Sequence, residues 1–119
     1  MRHVLIALAA LSTPAMAQAV IPPAEYDYPF EGPVTVITVK DIDTVNKMCN
    51  NPLAGLGCAR IMETRDYGKI CWIVMAHDDV IRAKGWTPEI VKKHEVAHCN
   101  GWPSFHPGAR FQTKKGDRN

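Results

Sequence analysis

Residues 87–101 read TPEIVKKHEVAHCNG, a stretch that carries both the start and the stop signals of a helix. Thr87 is a preferred N-cap residue, and Pro88 suits the first helical position because an N–H there would have no partner. Gly101 follows the last turn, where a left-handed residue commonly ends a helix. The stretch therefore predicts a helix over residues 87–100.

Within this helix, residues 94–98 spell H-E-x-x-H. His94 and His98 lie on one helical face, one turn apart, so their imidazoles can bind one metal ion from the same side. Glu95 is next to the first of them, where a carboxylate can accept a proton from water held by the metal. The pattern is typical of zinc peptidases. It predicts His94 and His98 as ligands, Zn²⁺ as cofactor and Glu95 as the general base.

A catalytic zinc ion usually has three protein ligands, so one more must come from outside this pentapeptide. His106 follows His98 by eight residues, and Gly101 allows a sharp turn that returns the chain towards the helix. We expect His106 to be the third ligand. The alternatives, in falling order, are His77 and then Asp78, Asp79 or Asp66.

The sequence does not decide which residues would surround the metal ligands. The candidates to hold the second nitrogen of each ligand imidazole are Asp78, Asp79 and Asn100. The candidates for an oxyanion donor are Tyr67, His77 and Arg110. Cys99 follows His98 by about 100° around the helix, so it should point away from the metal.

Three segments before the helix predict strands, at residues 34–39, 58–63 and 70–75. The last two flank a turn and should form a hairpin with Ile61 opposite Cys71. Residues 70–75 are apolar on both faces, which is typical of a central or doubly covered strand. A short helix capped by Asp41 or Asp43 should precede the hairpin. The sequence thus predicts an α+β domain in which a short antiparallel sheet of about three strands packs on the C-terminal helix.

Four cysteines are present, Cys49, Cys58, Cys71 and Cys99. An even number in an exported chain indicates two disulfides, and three pairings are possible. We favour Cys49–Cys58, which closes a short loop, and Cys71–Cys99, which ties a strand to the metal-binding helix. Free buried thiols are the alternative.

The N-terminus has the features of a secretory signal peptide over residues 1–17: a basic start, an apolar run and the cleavage site Ala15-Met16-Ala17. The run is too short to span a bilayer. Residues 18–33, with four prolines, predict an extended arm. Residues 34–109 should form the metal-binding domain and residues 110–119 a polar basic tail. Export to the bacterial periplasm or the extracellular space is expected, without a stable membrane anchor.

The charge is close to balance, with 14 Lys and Arg against 12 Asp and Glu. Such a balance does not favour nucleic-acid binding, so no nucleic-acid partner is expected. The expected partner is a peptide or protein substrate, and the expected state is a monomer. A chain this short buries only about 60–68% of its unfolded surface, so disulfides would add needed stability.

Residues 94–101, HEVAHCNG, resemble the zincin superfamily of zinc metallopeptidases. They also match the start of the extended metzincin pattern H-E-x-x-H-x-x-G, whose third histidine would fall at Ser104. The segment is similar, too, to small exported bacterial proteins with a C-terminal H-E-x-x-H-C-x-G-W segment. The resemblance implies a minimal zincin-like fold, with zinc on His94 and His98 and with Glu95 as the general base.

The sequence therefore favours a zinc-dependent peptidase or related amide hydrolase that uses metal-activated water. One rival is a non-catalytic metal-binding or scaffold module of an envelope or secretion assembly, which the small size favours. Another is a peptidoglycan-directed amidase. An open coordination position facing a groove would favour an enzyme, whereas a closed four-ligand site would favour a structural role.

Overall fold

The structure, a computed structural model, describes residues 17–113. Its strands and α-helices, in chain order, are β1 (Ala17–Ile21), β2 (Val34–Val39), α1 (Ile42–Cys49), β3 (Gly57–Thr64), β4 (Gly68–Ala76), α2 (Asp78–Ala83), α3 (Pro88–Cys99) and β5 (Arg110–Thr113). A short 3-10 helix, Ala24–Tyr26, lies between β1 and β2. The three predicted strands and the C-terminal helix all lie within two residues of the observed bounds.

β4 is the central strand of a three-stranded sheet with the order β2-β4-β3. Both of its faces are buried, as its apolar sequence predicts, and Cys71, Ile73, Val74 and Ala76 have no exposed surface. In the β3–β4 hairpin, Ile61 pairs with Cys71, which is the predicted register. The α+β class is confirmed.

The expectation of an antiparallel sheet is wrong for one of the two strand pairs. β3 and β4 are antiparallel, but β2 and β4 are parallel, from Val34 opposite Cys71 to Val39 opposite Ala76. The segment containing α1 carries the chain from one edge of the sheet to the other, and β3 runs opposite to β2. β4 then returns between them through a hairpin and must run parallel to β2. The sheet is therefore mixed.

α1 and α3 cover opposite faces of this sheet. The disulfide Cys49–Cys58 attaches α1 to β3, and the disulfide Cys71–Cys99 attaches β4 to α3. Cys58 pairs across the hairpin with Val74, three residues from Cys71. Since successive residues of a strand point to opposite faces, the two disulfides leave the sheet on opposite sides.

Both predicted disulfides are present, and they indicate an oxidising, exported environment. Cys99 also points away from the face of α3 that carries His94 and His98, as expected. Across residues 17–113, none of the helices combines the length and the apolar character needed to cross a bilayer.

The caps of α1 and α3 follow from their sequences. The Asp41 carboxylate accepts hydrogen bonds from Thr44 N at 2.8 Å and Thr44 Oγ1 at 2.6 Å, so Asp41 is the cap of α1 and Asp43 is not. Thr87 Oγ1 accepts from Ile90 N at 3.2 Å at the start of α3. Each cap satisfies a backbone N–H that has no partner within the helix.

The two ends of the described chain pair with each other. β1 and β5 form an antiparallel ribbon, so residues 110–113 of the predicted tail form a strand with the start of the predicted arm. The Arg110 guanidinium binds the Pro22 carbonyl and pairs with Asp27 at 3.1 Å. These partners are distant in sequence, which is why local patterning did not indicate the ribbon. Most of the predicted signal peptide, residues 1–16, and the last tail residues, 114–119, lie outside the described residues.

Candidate metal centre

Three histidine imidazoles converge at the C-terminal end of α3. His94 and His98 project from the helix, and His106 approaches from the loop that follows it. Gly101 has a φ of 108° and turns the chain directly after the helix. His106 has a φ of 59°, a left-handed conformation that is uncommon for a residue with a Cβ atom. The loop therefore holds an unusual backbone conformation at the residue that faces α3.

The three Nε2 atoms form a nearly equilateral triangle. They lie 3.2 Å apart for His94 and His98, 3.2 Å for His98 and His106, and 3.1 Å for His94 and His106. Nitrogens bound tetrahedrally at about 2.0–2.1 Å from Zn²⁺ are about 3.3–3.4 Å apart, so the triangle has the size of three ligands on one such ion. This group can hold a metal ion.

Among residues 17–113, no fourth His, Cys, Asp or Glu joins this group. Structural zinc sites usually have four protein ligands, whereas catalytic sites have three and keep one position for water or substrate. With three candidate ligands among the described residues, the group matches the type of site that keeps one coordination position free.

Hydrogen bonds between the three rings do not account for the triangle. Each Nε2 carries either one proton or one lone pair in the ring plane, so three such nitrogens cannot all bond to one another. His98 Nδ1 lies 2.8 Å from the carbonyl oxygen of Trp102, which can only accept. Nδ1 therefore carries the proton, and Nε2 of the neutral ring directs a lone pair at the other two histidines. A backbone carbonyl commonly fixes the tautomer of a ligand histidine in this way.

Trp102 lies beneath all three imidazoles and is only 2% exposed. Its ring stacks on His98 at 4.9 Å with an interplanar angle of 16°, and it meets His94 at 5.1 Å and His106 at 4.9 Å edge to face. Its Nε1 donates to the Pro107 carbonyl at 2.8 Å, which also fixes the loop that carries His106. Trp102 thus positions the three histidines through both its ring and its carbonyl, a role that the sequence did not indicate.

The environment of the histidines favours the form that binds metals. Burial lowers the pKa of His98 from its ordinary value of 6.5, although the hydrogen bond to the Trp102 carbonyl acts in the opposite direction. Burial also lowers the pKa of His106, and repulsion from His98 adds to this. Both rings are therefore neutral at pH 7, and a neutral imidazole is the metal ligand.

Glu95 is the one buried charged side chain in residues 17–113, with 5% of its surface exposed. Burial raises the pKa of its carboxyl to about 8. A cation bound by the adjacent histidines would favour the ionised form and offset this effect. A Cβ atom at Gly57 would lie 3.2 Å from Glu95 Oε2 and 2.9 Å from the Val74 carbonyl, so glycine at this position leaves room for the carboxyl. A glycine within a strand is a sequence signal for such a close approach.

The three histidines and Glu95 line an open cleft of about 580 Å³. β3 contributes a second wall through residues 57–60, and the loop after α1 adds Leu53 and Ala54. β3 is an edge strand of the sheet. The candidate ligands and the buried carboxyl thus share one accessible space with a strand edge.

The structure places the other predicted site residues elsewhere. His77 is exposed at the N-terminus of α2, and Asp66 and Tyr67 are exposed in the hairpin turn. The Asn100 side-chain amide nitrogen donates to the carbonyls of Tyr26 and Tyr28, which attaches the end of α3 to the segment before β2. Two other candidates, Asp79 and Arg110, contact the Val80 amide and Asp27 respectively.

In comparisons with known proteins, no family model, no curated protein and no solved structure matches this chain. The geometry of the cleft and the sequence pattern on α3 are therefore the observations that bear on function.

Proposed function

We propose that this protein is a zinc-dependent peptidase or related amide hydrolase, exported to the bacterial periplasm or the extracellular space. The observation that carries the proposal is the triangle of three Nε2 atoms, 3.1–3.2 Å apart, in an open cleft that also contains Glu95. The H-E-x-x-H pattern on α3 and its resemblance to the zincins support the same reading.

Zinc is the metal that the donor set favours. His94, His98 and His106 offer three neutral imidazole nitrogens, and three such ligands with a free position are typical of catalytic zinc. A zinc ion bound there would supply a Lewis acid and would lower the pKa of a coordinated water towards 7.

Glu95 is proposed as the residue that moves the proton. Its carboxylate accepts a proton from the attacking water and later delivers it to the leaving amine. Its burial removes competing solvent, and the close approach to Gly57 limits the positions that the carboxyl can take.

The edge of β3 is proposed as the place where substrate lies. A peptide in extended conformation can pair its backbone with an exposed strand edge, which leaves its scissile bond beside the helix that carries the metal ligands. Residues 57–60 line the cleft along this edge.

A non-catalytic metal-binding module is the second candidate, and the burial of Glu95 is the observation that favours it. A carboxyl that is only 5% exposed offers little surface to an attacking water or to a leaving amine, whether or not a metal ion is bound. In this alternative, the histidines and the metal would stabilise the loop after α3, and no substrate would be turned over.

Replacing Glu95 by Gln separates the two candidates. The peptidase mechanism predicts that E95Q retains zinc and the parent's melting temperature but cleaves a broad peptide library about 10²–10⁴-fold more slowly. The matched control is E89Q, the same change at an exposed position in the first turn of α3. If E95Q cleaves as fast as the parent, Glu95 is not the base. If the parent and E95Q both bind zinc but neither cleaves peptides or muropeptides, the non-catalytic module is the better explanation.

A further inference from the structure

β3 carries a cation with no anionic partner. Arg60 is exposed on this strand and lines the same cleft as His98 and Glu95. The ion pairs among residues 17–113 both involve Asp27, with Lys93 and Arg110 as its partners. In this part of the chain, the guanidinium of Arg60 also donates no hydrogen bond to another residue. Its N–H donors are therefore available to a ligand in the cleft.

Trp72 fixes where that cation lies. Arg60 and Trp72 are directly opposite each other in the β3–β4 hairpin. The guanidinium carbon lies 4.4 Å from the centroid of the Trp72 ring, within the range of a cation–π interaction. Stacking restricts the rotamers of the arginine but leaves the edges of the planar group free. A ligand anion thus meets a cation whose conformational entropy has already been reduced.

Arg60 and the histidines lie on opposite faces of the sheet. Arg60 is two residues from Cys58, which is bonded to α1, so it points to the α1 face. The histidines and Glu95 belong to α3 and its following loop, on the other face. The cleft therefore extends around the free edge of β3. Because side chains alternate along an extended peptide, a substrate lying on this edge would direct one side chain towards Arg60 and the next towards α3.

We infer that Arg60, stacked on Trp72, binds a carboxylate of the substrate, so that the cleft selects peptides that present a carboxylate at this position. The inference rests on the proposed function for the placement of a peptide along β3. A carboxylate fits because its two oxygens match the paired N–H donors of one guanidinium edge. The carboxylate can belong to an Asp or Glu side chain or to the C-terminus of the peptide.

The test is a binding measurement, so that it does not depend on turnover. Short labelled peptides that differ only in one Glu or Gln, each with a free or an amidated C-terminus, are titrated with zinc-loaded E95Q by fluorescence anisotropy. We expect the peptide with an available carboxylate to bind about tenfold more tightly than its neutral counterpart. Adding R60Q should bring this ratio close to one, and adding R60K should give an intermediate ratio, since lysine keeps the charge without the planar fork.

R65Q is the matched control, because Arg65 is an exposed arginine in the hairpin turn, outside the lining of the cleft. It should leave the ratio at the parent value. If amidation of the C-terminus abolishes the tighter binding, the bound carboxylate is the C-terminus. If the Glu peptide still binds more tightly than the Gln peptide after amidation, the bound carboxylate is the side chain. The inference is overturned if E95Q has no preference for a carboxylate, if no peptide binds, or if R60Q keeps the preference. A preference that depends on Arg60 without any cleavage by the parent would retain the anion site and reject the peptidase.

Discussion

At the scale of single residues, the candidate metal centre combines three histidines with a buried tryptophan that contacts all of them. His94 and His98 were predictable because the helical period alone brings them together. His106 was predictable only as a preference, since its position depends on the loop conformation. The role of Trp102 was not predictable, because its contacts with three imidazoles and Pro107 exist only in the folded loop.

Replacing Trp102 by Phe should weaken metal binding. Phenylalanine keeps an aromatic ring but loses the indole N–H that bonds to the Pro107 carbonyl and part of the surface under the histidines. Loss of such outer contacts typically costs 10–100-fold in metal affinity, and we expect about tenfold. Competition with a chelator measures the change. W72F, at a tryptophan that lies with Arg60 on the face of the sheet opposite the histidines, should leave the affinity unaltered; equal effects of the two variants would reduce Trp102 to a general packing role.

At the scale of helices and strands, the sequence predicted the helix caps but not the directions of the strands. Thr87, Pro88 and Gly101 mark the ends of α3 through local backbone chemistry, and they lie where the sequence predicts. The parallel pairing of β2 with β4 depends on the path of the chain through α1, which no local pattern records. The same limit applies to the β1–β5 ribbon.

The Asp41 cap gives a pH-dependent contribution to stability. Hydrogen bonds from the Thr44 hydroxyl and amide hold the pKa of the Asp41 carboxyl below its ordinary value of 3.8. A carboxyl with a lowered pKa in the folded state stabilises the fold above its unfolded pKa, and this is lost as the pH falls through the folded value. D41A should therefore destabilise the protein at pH 7 and much less near pH 2.

Urea unfolding at both pH values measures this difference. D43A removes the other acidic residue of the first turn, which is not the cap, and should have a smaller effect at pH 7. A D41A deficit that is the same at both pH values would contradict the assignment of Asp41 as the charged cap.

At the scale of the whole molecule, two disulfides hold the helices on either side of a small sheet. The hairpin register places Cys71 opposite Ile61 and so argues against a Cys58–Cys71 bond, and the short loop between Cys49 and Cys58 favoured the observed pairing over the one that remained. α3 is tied to the central strand one residue after His98. The helix that carries the candidate metal centre is therefore covalently attached to the core of the sheet.

The two disulfides should differ in what their removal costs. They close loops with sequence separations of 28 for Cys71–Cys99 and 9 for Cys49–Cys58. Loop entropy in the unfolded chain then gives about 3.6 and about 2.6 kcal/mol of stability, respectively. Double Cys→Ala variants, compared by chemical unfolding, test this order. Only loss of Cys71–Cys99 should also weaken zinc binding; equal metal affinity in both variants would show that the tie to β4 does not support the site.

Metal analysis of the purified protein tests whether His94, His98 and His106 together bind one zinc ion. The parent should contain about one zinc per chain. Removing a residue that only contacts a ligand typically lowers metal affinity by roughly 10–100-fold. H106A removes a proposed ligand itself, so its zinc affinity should fall by more than this. H77A, at the exposed histidine before α2, should bind zinc like the parent. Unchanged zinc stoichiometry and affinity in H106A would contradict the three-histidine centre.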